Sequence, residues 1–121
     1  MSDNVKAPSD SKMSVNEIRQ IVREFVDERD WRQFHSPKNI AMALSVEASE
    51  LLEHFQWLTE SQSASPESVN RDEVATEIAD VQIYLAMLAD KLDIDIEKAV
   101  EEKIEANGIK YSPSPTSAKQ P

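Results

Sequence analysis

The chain has 121 residues, no cysteine, one glycine and a net charge of −10. That length allows one domain with one modest core. The acidity argues against a nucleic-acid polymer or an anionic membrane as partner. The missing cysteine excludes disulfides and thiolate metal sites, and a single glycine leaves no glycine-rich phosphate loop.

Residues 1–13 are polar and aperiodic, with Pro8, and read as a disordered tail. A domain is expected over residues 14–111. Ser14-Val15-Asn16-Glu17 has the form of a capping box and should open the first helix. Val15, Ile18, Ile21 or Val22, and Phe25 form its inner stripe, and it should end near Arg29. A connector from Asp30 to His35 carries Trp31 and Phe34. Ser36-Pro37 is an N-cap with proline at the first helical position, opening a second helix that should run to about Thr59.

Glu60 to Ser68 reads as a polar loop, and Ser65-Pro66 offers another cap-and-proline start. The third helix begins there or a turn later and continues to about Leu92. It is apolar nearly all round, which in so small a chain suggests burial against another subunit. Asp95 caps a fourth helix with Ile96, Val100 and Ile104 inward, and Gly108 should stop it. Residues 112–121 hold three prolines and read as a second tail. No segment alternates with period two for long enough to make a strand. The expected fold is therefore all-α: a four-helix bundle that oligomerises through its central helices. With no apolar spanning run and no signal-peptide core, a cytoplasmic location is the expectation.

The two central helices carry two acid pairs, Glu47-x-x-Glu50 and Glu77-x-x-Asp80. At i, i+3 both carboxylates of a pair leave one face, a turn apart. At about 100° per residue, the first acid of each pair lies roughly 60° from its apolar stripe and the second roughly 120°. The two segments also match weakly at an offset of 30 residues, Glu47 onto Glu77 and Glu50 onto Asp80. One such pair is ordinarily a solvated face. Two at matching offsets bring four acids to one edge of a helix contact, where they repel unless a cation sits among them. An all-oxygen cluster suits a hard ion, Mg²⁺ or Mn²⁺.

These acid pairs, with 26 residues between them, resemble the MazG-like all-α nucleoside triphosphate pyrophosphohydrolases. Further blocks resemble the dCTP pyrophosphatase branch: Arg29-Asp30-Trp31-Arg32-Gln33-Phe34-His35, Pro37-x-Asn39, Glu53-x-Phe55-Gln56-Trp57, Ile83-Tyr84-Leu85, and Lys103-x3-Asn107-x2-Lys110-Tyr111. The resemblance spans about Val22 to Tyr111. It implies hydrolysis of a nucleoside triphosphate, with dCTP or modified dCTP first, to monophosphate and pyrophosphate. Glu47, Glu50, Glu77 and Asp80 would hold Mg²⁺, and Glu53 would be an outlying base or merely a surface acid. Trp31 and Trp57 would stack on the base and Tyr84 would touch sugar or phosphate. Lys103, Asn107 and Lys110 would contact phosphates, with His35, Asn39 and Tyr111 as further substrate contacts. His54 reads as a helix-face residue. Trp57, placed by helical geometry about 140° from the apolar stripe, is on the acid side. In the dCTP-specific relatives a histidine is expected three residues before the Phe25 position; Val22 stands there. A homodimer or homotetramer is expected. The alternatives are an all-α dUTPase-like or broad house-cleaning pyrophosphatase and, outside enzymes, a helical partner-binding module. A ferritin-like di-iron site needs Glu-x-x-His, which neither pair has.

Overall fold

Five α-helices and two short 3-10 turns account for the regular structure of the computed structural model, which describes residues 12–111 and residue 113. The expected tails lie almost wholly outside the described residues. No strand occurs among the described residues, and the all-α expectation holds. Helix α1 spans Val15–Glu28, α2 Pro37–Glu53, α3 Glu60–Ser63, α4 Arg71–Leu92 and α5 Ile96–Lys110.

The N-termini follow local chemistry. Ser14 Oγ accepts from Glu17 N, and Ser14 N donates back to the Glu17 carboxylate. Ser36 Oγ accepts from Asn39 N at 3.1 Å, and Asp95 caps α5 through Lys98 N at 3.1 Å. For α4 the later of the two expected starts is the real one: Asn70 Oδ1 accepts from Asp72 N and Glu73 N. Ser65-Pro66 opens only a 3-10 turn, Pro66–Ser68.

The C-termini depart from expectation. α2 ends at Glu53, not near Thr59, because the chain tightens into i−3 bonds, His54 N to Leu51 O and Phe55 N to Leu52 O. Thr59 then caps the one-turn α3 in a capping box with Gln62, inside what was expected to be loop. Gly108 does not stop the last helix. α5 passes through it to Lys110, since a glycine terminates a helix by taking positive φ and this one does not. Positive φ falls on Asp93, which ends α4 at φ 52°, and on Asp30 after α1 at φ 53°.

α4 packs along α2 on one side and α1 on the other. Ile40, 2% exposed, and Val26, Ala86 and Ala89 are the buried core. Val26, not Phe25, is thus the innermost residue of α1. Phe25 stays 38% exposed, edge-on to Trp31 at 5.7 Å and under the Arg29 guanidinium at 3.5 Å. The α1–α4 contact is pinned by Asp90. Its Oδ1 accepts from Arg23 Nε at 2.7 Å and Arg19 Nε at 3.1 Å, while Arg19 also bonds Ile94 O and Asp93.

α5 touches the start of α1, where Asn16 N donates to Glu97 Oε2 at 2.8 Å, and then leaves the bundle. Val100 and Ile104, expected inward, are exposed, Ile104 by 65%. α4 likewise shows solvent a heptad stripe, Ile78, Val81, Leu85, Leu88 and Leu92, whose members are exposed or half-buried. A groove of about 390 Å³ runs beside its C-terminal half, between Leu85, Leu88, Leu92, Ile94 and Val100. No helix among the described residues is long and apolar enough to cross a membrane.

Candidate metal and nucleotide site

The packing of α2 against α4 decides where their acids go. Glu47 and Glu50 leave α2 a turn apart, and Glu77 and Asp80 leave α4 a turn apart, on facing shoulders. Carboxylate oxygens of Glu47, Glu77 and Asp80 lie within 4.8 Å of one another. Glu50 stands outside this ring of three but within hydrogen-bonding reach of Glu47 and Glu77. All four side chains are half-buried.

The cluster is electrostatically unfinished. Among the described residues, Oε2 of Glu47 and Oε2 of Glu77 are buried without a hydrogen-bond partner. A buried, unpaired carboxylate oxygen is costly, and the cost appears in the proton affinities. A hydrogen bond to Glu50, then burial, then the charges of Glu50, Asp80 and Glu77 push the Glu47 carboxyl up to about 7. Burial, then the charge of Glu50, raises Glu77. Three carboxylates at this spacing, two of them with an orphaned oxygen, and with no sulfur or nitrogen among them, fit a hard divalent cation.

Beside Asp80 opens a cavity of about 330 Å³ between α1 and α4. Trp31 and Tyr84 line it together with Asp80 and His35, and its remaining wall is apolar: Ile21, Val22, Phe25, Val26, Ile83 and Met87. The carboxylates thus stand next to a pocket of nucleoside size, walled by one exposed-edge tryptophan and aliphatic side chains.

The MazG-like family model matches residues 42–118, more than half of the chain and including all four acids. The chain belongs to the MazG-like family. It is 39% identical over 100 residues to human dCTP pyrophosphatase 1 and 37% identical over 100 residues to the rat protein of that name. Each alignment covers 81% of this chain but 59% of the relative, so the chain spans under two thirds of the length of these curated relatives. A crystal structure of a pyrophosphatase from Archaeoglobus fulgidus superposes with a TM-score of 0.75 at 40% identity, covering 88% of this chain and 100% of that one.

Within this MazG-like chain the expected site residues divide. Glu47, Glu50, Glu77 and Asp80 come together, and Trp31, His35 and Tyr84 share the adjoining cavity. The others do not join them. Trp57 sits in the turn after α2, 86% exposed, because α2 ends before it; the angular placement assigned to it on a continuous helix does not apply. Glu53 is the exposed last residue of α2 and is not among the clustered acids. Asn39 is exposed in the first turn of α2. Lys103, Asn107, Lys110 and Tyr111 lie on or just after α5, which contributes no residue to the cluster or the cavity.

Two features escaped sequence reading. His54, taken as a helix-face residue, caps the C-terminus of α2 close enough to Glu77 for its charge to favour the carboxylate. Asp90 and the arginines of α1 form the floor behind the cavity. Both depend on which helices meet. The Val22 departure also pointed into the cavity, and Val22 does line it.

Proposed function

We propose that this MazG-like chain is a divalent-metal-dependent nucleoside triphosphate pyrophosphohydrolase, acting on dCTP or modified dCTP. The observation that carries the reading is the juxtaposition of orphaned carboxylate oxygens on Glu47 and Glu77 with a nucleoside-sized cavity that shares Asp80. Glu47, Glu50, Glu77 and Asp80 would hold Mg²⁺, or Mn²⁺ in its place. The ion would supply positive charge that this acidic surface lacks, neutralising the triphosphate oxygens and the leaving pyrophosphate.

The protein's own part is positional. The Trp31 ring offers a stacking face at the cavity rim, and such stacking contributes about 1–3 kcal/mol per base. Tyr84, one turn beyond Asp80, holds the sugar between base and phosphates. Glu53, at the end of α2, is the candidate for orienting a water from outside the cluster. Identity of dCTP as substrate follows from the relatives and not from the metal, which is common to every triphosphate.

Assembly completes the reading. A heptad seam on α4 and the apolar groove beside it are suited to a second copy of the chain, giving a homodimer or a pair of dimers. Lys103, Asn107 and Lys110, on an α5 that leaves its own bundle, and the exposed Trp57 would then serve a neighbour's site. Release of pyrophosphate from a panel of common and modified nucleotides with Mg²⁺ tests the function. Preference for dCTP over dATP, dGTP and CTP is expected. Equal turnover of purine triphosphates would shift the reading to a broad house-cleaning enzyme, and no turnover at all would leave a helical binding module. A stable monomer at micromolar concentration in sedimentation equilibrium would remove the assembly.

A further inference from the structure

The connector between α1 and α2 brings Trp31 to the wall of the 330 Å³ cavity, and its own backbone bonds are local. Trp31 N donates to Val26 O at 3.1 Å and closes the end of α1. Phe34 N donates to Trp31 O, His35 N to Arg32 O, and Gln33 Nε2 to Asp30 O. The chain enters this segment through Asp30 at φ 53°, a left-handed conformation that suits glycine better. A short strained segment bonded mainly to itself does not fix its own distance from the facing helix.

That distance is set from α4. Lys91 Nζ reaches across to Arg32 O at 3.3 Å, 59 positions away in sequence. Asp90 Oδ2 stands 3.8 Å from Arg32 Nη1, which also bonds Asp27 Oδ1 at 3.2 Å. Between connector and helix the space closes to about 20 Å³, room for one water, with Arg32, Met87, Asp90 and Lys91 around it. At about 100° per residue, Asp80, Tyr84, Met87 and Lys91 lie within about 60° on one face of α4. That face carries an acid of the cluster at one end and, about 16 Å along, the ammonium that meets the connector. A lysine in the last turn of a helix ordinarily answers the helix dipole. This one also bonds a carbonyl of another element.

We propose that Lys91 is a positioning residue for the reaction, a latch that holds the Trp31 connector against α4 so that the stacking face is in place before the nucleotide arrives. The proposal rests on the nucleotide reading above and adds the group that preorganises its base end. Lys91 neither lines the larger cavity nor belongs to the carboxylate cluster, so it acts through the connector. Without the latch the connector samples other placements, and apparent affinity falls in proportion to the competent fraction. The carboxylate end of α4 is untouched, so KM changes and kcat does not.

The test is steady-state hydrolysis of dCTP with Mg²⁺ by wild type, Lys91→Met, Lys91→Ala and Lys91→Arg, together with acrylamide quenching of Trp31. Quenching is read in a Trp57→Phe background, where Trp31 is the sole tryptophan. Lys91→Met should raise KM about fivefold with kcat within about twofold, the scale of one charge-assisted hydrogen bond at a half-exposed position. Its Trp31 should be quenched more readily than that of the unlatched control's parent, Trp57→Phe alone. Lys91→Ala should behave alike, and it carries the test if the methionine variant does not fold. Lys91→Arg keeps a charged donor and should stay near wild type in both readouts. A fall in Tm with KM and quenching unchanged leaves Lys91 a helix-end cation and overturns the proposal, as does a fall in kcat at constant KM. If wild type hydrolyses no triphosphate, the functional reading fails on its own and quenching decides the latch. Trp31 loosened by Lys91→Met or Lys91→Ala but not by Lys91→Arg supports it, and unchanged quenching overturns it.

Discussion

Asp80 and Asp90 lie on the same helix, ten residues apart, in opposite surroundings. Asp90 faces α1 and receives Arg19 and Arg23, with Arg32 3.8 Å from its other oxygen. Burial alone would raise its pKa, but the hydrogen bonds and charges of Arg23 and Arg19 hold it below the usual carboxylate value. Asp80 has acids as its charged neighbours in the cluster: Glu47 and Glu77 are pushed up, and each keeps an orphaned oxygen. One end of α4 is neutralised from within the chain and works as a clamp. The other is left to be neutralised from outside, which is what a cation site requires. An acid on a helix shoulder is therefore structural or functional according to the helix it meets.

The comparison breaks most visibly on activity. Glu50→Gln or Asp80→Asn should lower turnover with Mg²⁺ by about a thousandfold or more, several kcal/mol of transition-state stabilisation, while far-UV circular dichroism stays helical. Near-normal pyrophosphate release in either variant would refute the site.

Stability should respond in the opposite order. Asp90→Asn strands arginines that have lost their carboxylate. Removing one partner of a buried pair costs about 3–5 kcal/mol, but these arginines are partly solvated, so about 1–3 kcal/mol is expected from the shift of the urea midpoint. Glu47→Gln should leave the midpoint unchanged or raised in EDTA, since it removes a repelled carboxylate. A Glu47→Gln loss as large as that of Asp90→Asn would erase the distinction between the two ends of α4.

The pH dependence sharpens the same point. Glu47 has its folded pKa raised from 4.5 to about 7, so between those values the folded protein holds a proton that the unfolded chain has released. Its contribution is full below pH 4.5 and is lost as pH rises through 7. In EDTA the wild-type Tm should fall across that window more than that of Glu47→Gln. Asp90, held low, contributes above its ordinary 3.8 and loses that only in stronger acid. Added Mg²⁺ should raise the wild-type Tm more above pH 7 than below it, since a proton on Glu47 competes with the ion. An Mg²⁺ effect independent of pH would argue against these carboxylates as its ligands.

The smallest expected stability effect belongs to Trp57→Ala. At 86% exposure the side chain holds little of the fold together, so Tm should shift by less than about 0.5 kcal/mol equivalent. KM for dCTP should nevertheless rise. A large loss of Tm would place Trp57 in an interface between copies.

What the sequence by itself determined is what helix geometry carries over three or four residues. The caps at Ser14, Ser36 and Asp95 and the shoulder positions of Glu47, Glu50, Glu77 and Asp80 follow from i, i+3 relations that hold wherever the helix lies. What only the tertiary structure decided is where helices stop and what they meet. α2 ends at Glu53 because local i−3 bonds and the Thr59 cap outcompete continued helix, and this one choice takes Phe55 and Trp57 off the predicted face. Gly108 stays helical because nothing in α5 demands positive φ there. Asp90 gains its role from the arginines of α1, and an encounter between residues more than sixty positions apart leaves no period in the sequence.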